Sequence, residues 1–245
     1  MKNKKIGVCI LGLSILVSSS IIANAALNSD EKVSKNEISS TFNKAIEQAD
    51  IGSNYVEVIT LTTSNTTLKI YSDRPNGVEQ TDLYENGELL SRGIMYDYGS
   101  KYLSIGADNG EYEATVMTLD PEIAAENKKL CQVSLLEKYM IDDLKDYENA
   151  SFKEVQLLDS STTKYSSDKI NLYFNEDTGF LSKKEYLKNG EVFQRMEFET
   201  IAKNSKFAQS LFKQNAPVEG TDINLDNIET TYINEGKDVS LDEAR

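Results

Sequence analysis

The stretch that decides the fold runs from Asp168 to Ile201, DKINLYFNEDTGFLSKKEYLKNGEVFQRMEFETI. Ile170, Leu172 and Phe174 recur at every second position, the period that sets one face of a strand against a core and the other toward water. Asp177-Thr178-Gly179 and then Asn189-Gly190 interrupt the pattern, and these residue types tolerate the positive φ that short hairpin loops demand. After each break the apolar residues return: first Leu181, Tyr186 and Leu187, then Val192, Phe193, Met196, Phe198 and Ile201, with Lys, Arg and Glu interleaved. The segment therefore predicts three consecutive antiparallel strands with one dry and one wet face.

Upstream, the same texture fills residues 54–119. Tyr55–Leu61 and Leu68–Tyr71 are rich in β-branched and aromatic residues, and Asn86-Gly87 and Asp108-Asn109-Gly110 supply further turns. About six strands in succession with short connections predict a meander, not alternating βαβ units. Helix signals then intervene. Asp120-Pro121 is an N-cap with proline at the first helical position, leading into Glu122–Leu130. Ser134 with Glu137 makes a capping box ahead of Leu135, Leu136, Tyr139, Met140 and Leu144. Strand texture resumes at Phe152–Leu158, Ser160–Ser167 reads as a polar loop, and Lys206–Lys213 reads as a short closing helix. The fold class expected is α+β: a strongly curved antiparallel sheet, half of a barrel, wrapping inserted helices.

The first 25 residues have the form of a Sec signal peptide. Lys2, Lys4 and Lys5 precede the apolar run Ile6–Val17, and Ala23-Asn24-Ala25 is a small-x-small cleavage site. Cys9 has only Ile6-Gly7-Val8 between it and the basic residues, so lipid anchoring there is not expected. Export across the cytoplasmic membrane is. Residues 26–53 then read as a lead-in and an amphipathic helix, with Ser34 and Glu37 as capping box and Ile38, Phe42, Ala45 and Ile46 on one face. Residues 54–213 form the curved-sheet domain. From Glu219 to Arg245 eight acidic residues stand against two basic ones, and 214–245 reads as an acidic, flexible tail. Within it, Ile223, Leu225, Ile228 and Tyr232 carry an alternative reading as an added strand or short helix that folds on a partner.

Charge and composition exclude several functions. The formal net charge is −14, and loss of the three leader lysines takes it to −14 − 3 = −17. Such a field repels nucleic acid. The chain has no His, and only Cys131 remains beyond the leader, which argues against zinc and removes the commonest general base. Asp142-Asp143 and Glu176-Asp177 are the carboxylate pairs available for a hydrolase or a calcium site. Neighbours on a helix diverge, and Asp in a turn serves its own backbone, so neither pair reads as catalytic. No cofactor, metal site or enzymatic activity is expected.

The order of a strand, Asp177-Thr178-Gly179 followed by Phe180-Leu181, a charged strand, Asn189-Gly190, and a strand ending Glu197-Phe198-x-x-Ile201 resembles the end of the sheet in the LolA/LolB/RseB-like superfamily. The resemblance spans roughly Asn54 to Phe212. It implies a curved sheet enclosing apolar volume, with lipoprotein acyl chains as cargo in some members and a protein partner sensed in others. Members in endospore-forming Firmicutes serve sporulation and germination. That branch implies a protein partner, a cortex-modifying N-acetylmuramoyl-L-alanine amidase that this chain would activate. The other class kept open is a carrier of apolar ligands, with Tyr96, Tyr98, Tyr102, Leu135, Tyr139 and Met140 as candidate cavity or partner surface beside their plain reading as core. A homodimer through exposed strand edges also stays open.

Overall fold

The computed structural model describes residues 40, 44, 54–108, 111–141, 154–158, 161–175, 179–219 and 223–234. Six strands follow one another at the start: β1 (Tyr55–Thr62), β2 (Thr66–Asp73), β3 (Val78–Glu85), β4 (Glu88–Tyr96), β5 (Lys101–Asp108) and β6 (Glu111–Thr118). Helix α1 (Pro121–Leu130) and the short π-helical turn α2 (Leu136–Ile141) come next. Then β7 (Glu154–Leu157), β8 (Thr162–Ser166), β9 (Ile170–Asn175), β10 (Leu181–Lys188) and β11 (Glu191–Ala202) lead to α3 (Lys206–Ser210) and β12 (Glu229–Asn234).

All twelve strands lie in one sheet, in the order β12-β6-β5-β4-β3-β2-β1-β11-β10-β9-β8-β7. Every pairing is antiparallel except β12, which lies parallel to β6. The sheet is curved and unclosed, with β12 and β7 at its edges. The two meanders meet where β1 pairs with β11, Ile59 opposite Phe198 and Leu61 opposite Met196. The hairpin reading of Asn189-Gly190 holds: both residues take positive φ, 56° and 83°, as a two-residue primed turn requires. Gly179 has a φ of 71° at the other turn, whose neighbours 176–178 lie outside the described residues.

Strand β1 is buried on both faces, which explains its run of Val, Ile and Leu. On the inner face Ile59 and Leu61 join Leu68, Ile70, Leu172, Phe174, Met196 and Phe198 in the main core, with Leu135, Leu136 and Met140 of the α2 region packed among them. On the outer face Val56 and Val58 pack with Tyr71 against Ala208 and Leu211. Farther along that face, Ile94, Leu103 and Ile105 meet Val218 and Leu225 from the C-terminal segment.

Four expectations need correction. Ser160–Ser167 is not a loop throughout, because Thr162–Ser166 is β8, paired on both sides. Its polar composition hid an alternation in which Thr163 and Tyr165 are buried. The closing helix stops at Ser210, and Phe212 takes a φ of 60° that no helix continues through. Within the expected tail, residues 214–219 and 223–234 are not flexible: Ala216, Val218 and Leu225 are buried, and Glu229–Asn234 forms the added strand of the alternative reading, placed on this chain's own sheet. Few apolar residues suffice because the sheet supplies the surface they cover. The last meander also lacks a wholly wet face, since Asn171, Tyr173 and Glu185 on its outer side are all buried. The leader and most of the amphipathic helix expected in 26–53 lie outside the described residues; Ser40 and Lys44 are helical and exposed.

The outer face is pinned by an ion pair. Arg92 donates from Nε to Asp82 Oδ1 at 2.6 Å and from Nη2 to Asp82 Oδ2 at 2.7 Å. Its Nη1 reaches the carbonyl of Ala216 at 2.5 Å and Nη2 that of Pro217 at 3.2 Å. Gln80 donates to Asp82 and accepts from the Phe212 amide, so the chain after α3 is tied to β3 and β4 through side chains. Burial, and then the negative charge of Asp82, pushes the Tyr84 hydroxyl up to about 12. Replacing Arg92 with Met strands a buried carboxylate and should cost about 3–5 kcal/mol, whereas the Arg92→Met/Asp82→Leu pair should recover a large part of that loss. Urea unfolding of the two single variants and the double variant measures the coupling.

Candidate functional site

The inner face of the sheet holds the helical segment 135–141 by polar contacts at both ends and apolar contacts between. Ser134 begins it as the sequence predicts, its Oγ accepting from the Glu137 amide at 3.0 Å. The Leu135 amide donates to Glu57 Oε2 at 2.6 Å, and Arg74 stands 3.4 Å from the other oxygen of that carboxylate. A carboxylate from β1 thus meets the positive end of the turn. At the other end, Lys184 of β10, with no exposed surface, donates from Nζ to the Tyr139 carbonyl at 2.6 Å. A cation there complements the negative end. Between them Lys138 pairs with Glu79 of β3 at 3.4 Å and lies 5.1 Å from the centre of the Tyr139 ring. Burial acts to lower the Lys138 ammonium, but Glu79 and Tyr139 outweigh it and raise it.

Of the residues proposed as cavity or partner surface, Leu135, Tyr139 and Met140 come together here. Leu135 and Met140 have no exposed surface, and Tyr139 is partly buried against the same cluster. Tyr96 stands elsewhere, packed on the outer-face cluster. Tyr98 sits in the turn after β4 at a φ of 54°, its hydroxyl donating to the Pro75 carbonyl at 2.7 Å. Tyr102 lies across Gly93 of the neighbouring strand so closely that a Cβ on that glycine would stand 2.2 Å from its hydroxyl. Cys131 is buried, and desolvation pushes its thiol up to about 11, so it packs as a small apolar group.

Sequence reading missed Glu57, Glu79, Lys138 and Lys184. A signal for Lys184 existed: counting back by two from Tyr186 puts it on the inner face, opposite Leu172 and Met196. The irregularity between Leu181 and Lys183 shifts the phase, so both Leu181 and Lys184 point inward.

A second polar constellation lies on the outer face of β9–β11. Glu185 is 5% exposed and accepts from the Tyr173 hydroxyl at 2.7 Å, Asn171 Nδ2 at 3.2 Å and Arg195 Nε at 3.1 Å. Burial would raise its carboxyl, but the hydrogen bonds of Tyr173 and Asn171 and the charges of Lys183 and Arg195 hold it below the usual carboxylate range. Lys183 Nζ lies 3.8 Å from the Tyr173 ring centre. Among the described residues no group of three or more metal-ligating side chains converges, and no helix is long and apolar enough to cross a membrane. The carboxylate pairs Asp142-Asp143 and Glu176-Asp177 lie outside the described residues.

No family model matches the sequence, and no curated protein matches it. Several solved structures align with this chain, among them three from other proteins. An uncharacterized conserved protein of Thermus thermophilus aligns over 80% of this chain and 99% of its own at 8% identity and a TM-score of 0.39. The lipoprotein LppX of Mycobacterium tuberculosis aligns over 69% of this chain and 95% of its own at 10% identity and a TM-score of 0.37. MucB, solved in complex with MucA(peri), aligns over 66% of this chain and 54% of its own at 14% identity and a TM-score of 0.28.

Two outcomes follow from the geometry. Glu57→Ala leaves the buried Leu135 amide without its acceptor, which should cost about 1–3 kcal/mol, and hydrogen exchange should quicken first in 131–141. The Glu185 contacts set an acid limb. A depressed carboxyl contributes stability that is present above its unfolded value, about 4.3, and is lost as pH falls through the lower folded value. Tyr173→Phe should therefore cost about 1–3 kcal/mol at pH 7, and the gap to the wild type should narrow by pH 3, as read from urea midpoints at both pH values.

Proposed function

We propose that the chain is an extracytoplasmic, non-enzymatic binding protein that works by contact with a protein partner. The observation that carries the reading is an apolar hairpin end facing solvent. Val192 and Phe193, beside the Asn189-Gly190 turn, are 45% and 50% exposed, and Phe193 stands 6.3 Å from the Tyr186 ring. Clustered exposed apolar side chains mark contact surfaces more often than isolated ones do, and aromatic anchors dominate such contacts. The buried ionisable groups of both polar sites are engaged in holding elements together: Glu57 and Lys184 at the ends of α2, Glu79 with Lys138, Asp82 with Arg92, Glu185 with Tyr173. That supports a role in binding over one in bond-making.

Export rests on the leader-like first 25 residues. The resemblance to sporulation and germination members of the LolA/LolB/RseB-like superfamily, the clostridial germination protein GerS among them, points to the partner: a cortex-modifying N-acetylmuramoyl-L-alanine amidase that this chain activates. Co-purification from sporulating cells tests it, and a deletion strain with normal muramic-δ-lactam in its cortex counts against it. With the amidase in hand, Phe193→Ser should weaken the complex about tenfold or more while leaving the melting temperature nearly unchanged.

A second reading, a carrier of apolar ligands, is favoured by the inner face itself. Leu135, Leu136 and Met140 cover an apolar sheet surface and are held by a few polar contacts, so an acyl chain could take their place. Native mass spectrometry would then find a bound acyl species.

A further inference from the structure

A groove of about 520 Å³ opens on the outer face of the sheet, in the size range of small-ligand sites. Its floor is one register row across four strands: Thr60 of β1 opposite Glu197 of β11, Glu197 opposite Lys183 of β10, and Lys183 opposite Tyr173 of β9. Glu199 and Thr162 complete the wall. Residues opposed in this way project from the same face, about 4.8 Å apart from strand to strand.

The charges in this row are not matched to one another. Lys183 leans toward the Tyr173 ring, 3.8 Å from its centre, and toward Glu185 at 3.7 Å. The Tyr173 ring is itself held from below, its hydroxyl tied to the buried Glu185. An ammonium has three N–H donors, and a single contact at 3.7 Å leaves donors for a ligand. Glu197 and Glu199 are exposed, and among the described residues neither has a hydrogen bond or ion pair. One side of the groove thus offers a cation beside an aromatic ring, and the other offers two unpaired carboxylates, with the Thr60 hydroxyl beyond Glu197 and Thr162 at the β8 end.

We propose that this groove binds a short zwitterionic peptide, its carboxylate received by Lys183 and its ammonium by Glu197 and Glu199. The strand spacing suits a ligand whose two charges stand about 5–10 Å apart, the reach of a di- or tripeptide. A ligand with one charge alone would meet the opposite charge of the groove unpaired, which supplies selectivity. The site lies away from the Val192–Phe193 hairpin end and does not depend on the partner reading.

The test uses the full chain and tri-alanine, with its N-acetylated and its C-amidated forms as controls, followed by backbone amide chemical shifts. The expected result is saturable binding of tri-alanine with shifts centred on β9–β11, and about tenfold weaker binding for each blocked form, for Lys183→Met and for Glu197→Gln/Glu199→Gln. Should the Lys183 variant unfold, the paired glutamine variant, altered only at exposed positions, carries the comparison. Equal binding of all three peptides, unchanged binding in the glutamine variant, or no saturation up to about 10 mM overturns the proposal. Loss of the amidase interaction with tri-alanine binding intact would overturn the partner reading and leave this one standing.

Discussion

Placing a guanidinium and a carboxylate together where neither meets water is expensive unless every donor and lone pair finds a partner. Arg92 and Asp82 come close to that condition: two parallel hydrogen bonds join them, Gln80 adds a third to Asp82, and further guanidinium donors reach the Ala216 and Pro217 carbonyls. The consequence is architectural. These contacts hold the chain after α3 against β3 and β4, and that placement lets Val218 and Leu225 cover Ile94, Leu103 and Ile105 and lets β12 run beside β6. The pin thus helps to hold the apolar cover of Val218 and Leu225 on the outer face of the first meander. Specificity is the gain, since apolar contacts alone would accept several positions of an acidic, sparsely apolar segment.

On the inner face the logic differs. A curved sheet has to fill its hollow, and here a short helical segment does so. A single turn of helix has little stability of its own. It is held because β1 presents Glu57 to the Leu135 amide at its start and β10 presents Lys184 to a late carbonyl. The same residues that define the turn's position are drawn from strands far apart in sequence, so the turn exists only once the sheet has formed. The outer groove has a similar origin: its row of Thr60, Glu197, Lys183 and Tyr173 comes from four strands whose register alone brings those side chains together.

Much of this was legible beforehand. The meander of 168–201 followed from alternation and from two turn signals, and Asn189 and Gly190 adopt the conformations that their residue types favour. Asp120 and Ser134 cap their helices as expected. Other features were hidden for identifiable reasons. Thr162–Ser166 looked like a loop because a strand between two others can bury Thr and Tyr and stay polar in composition. Residues 214–219 and 223–234 looked like a tail because charge density signals solvation, yet a few apolar residues at the right places suffice when a sheet face awaits them. Lys184 looked like surface because lysine seldom lies in a core without a partner.

Local chemistry in the sequence determined where the chain extends, turns and caps, because those choices depend on φ preferences and on neighbours a few residues away. Tertiary structure alone decided which polar residues became internal ties, which segment filled the hollow, and which charges share the outer groove. Partners for Glu57, Asp82 and Lys184, and the neighbours of Glu197 across the groove, lie on other elements of the fold, and only the packing of those elements sets the distances between them.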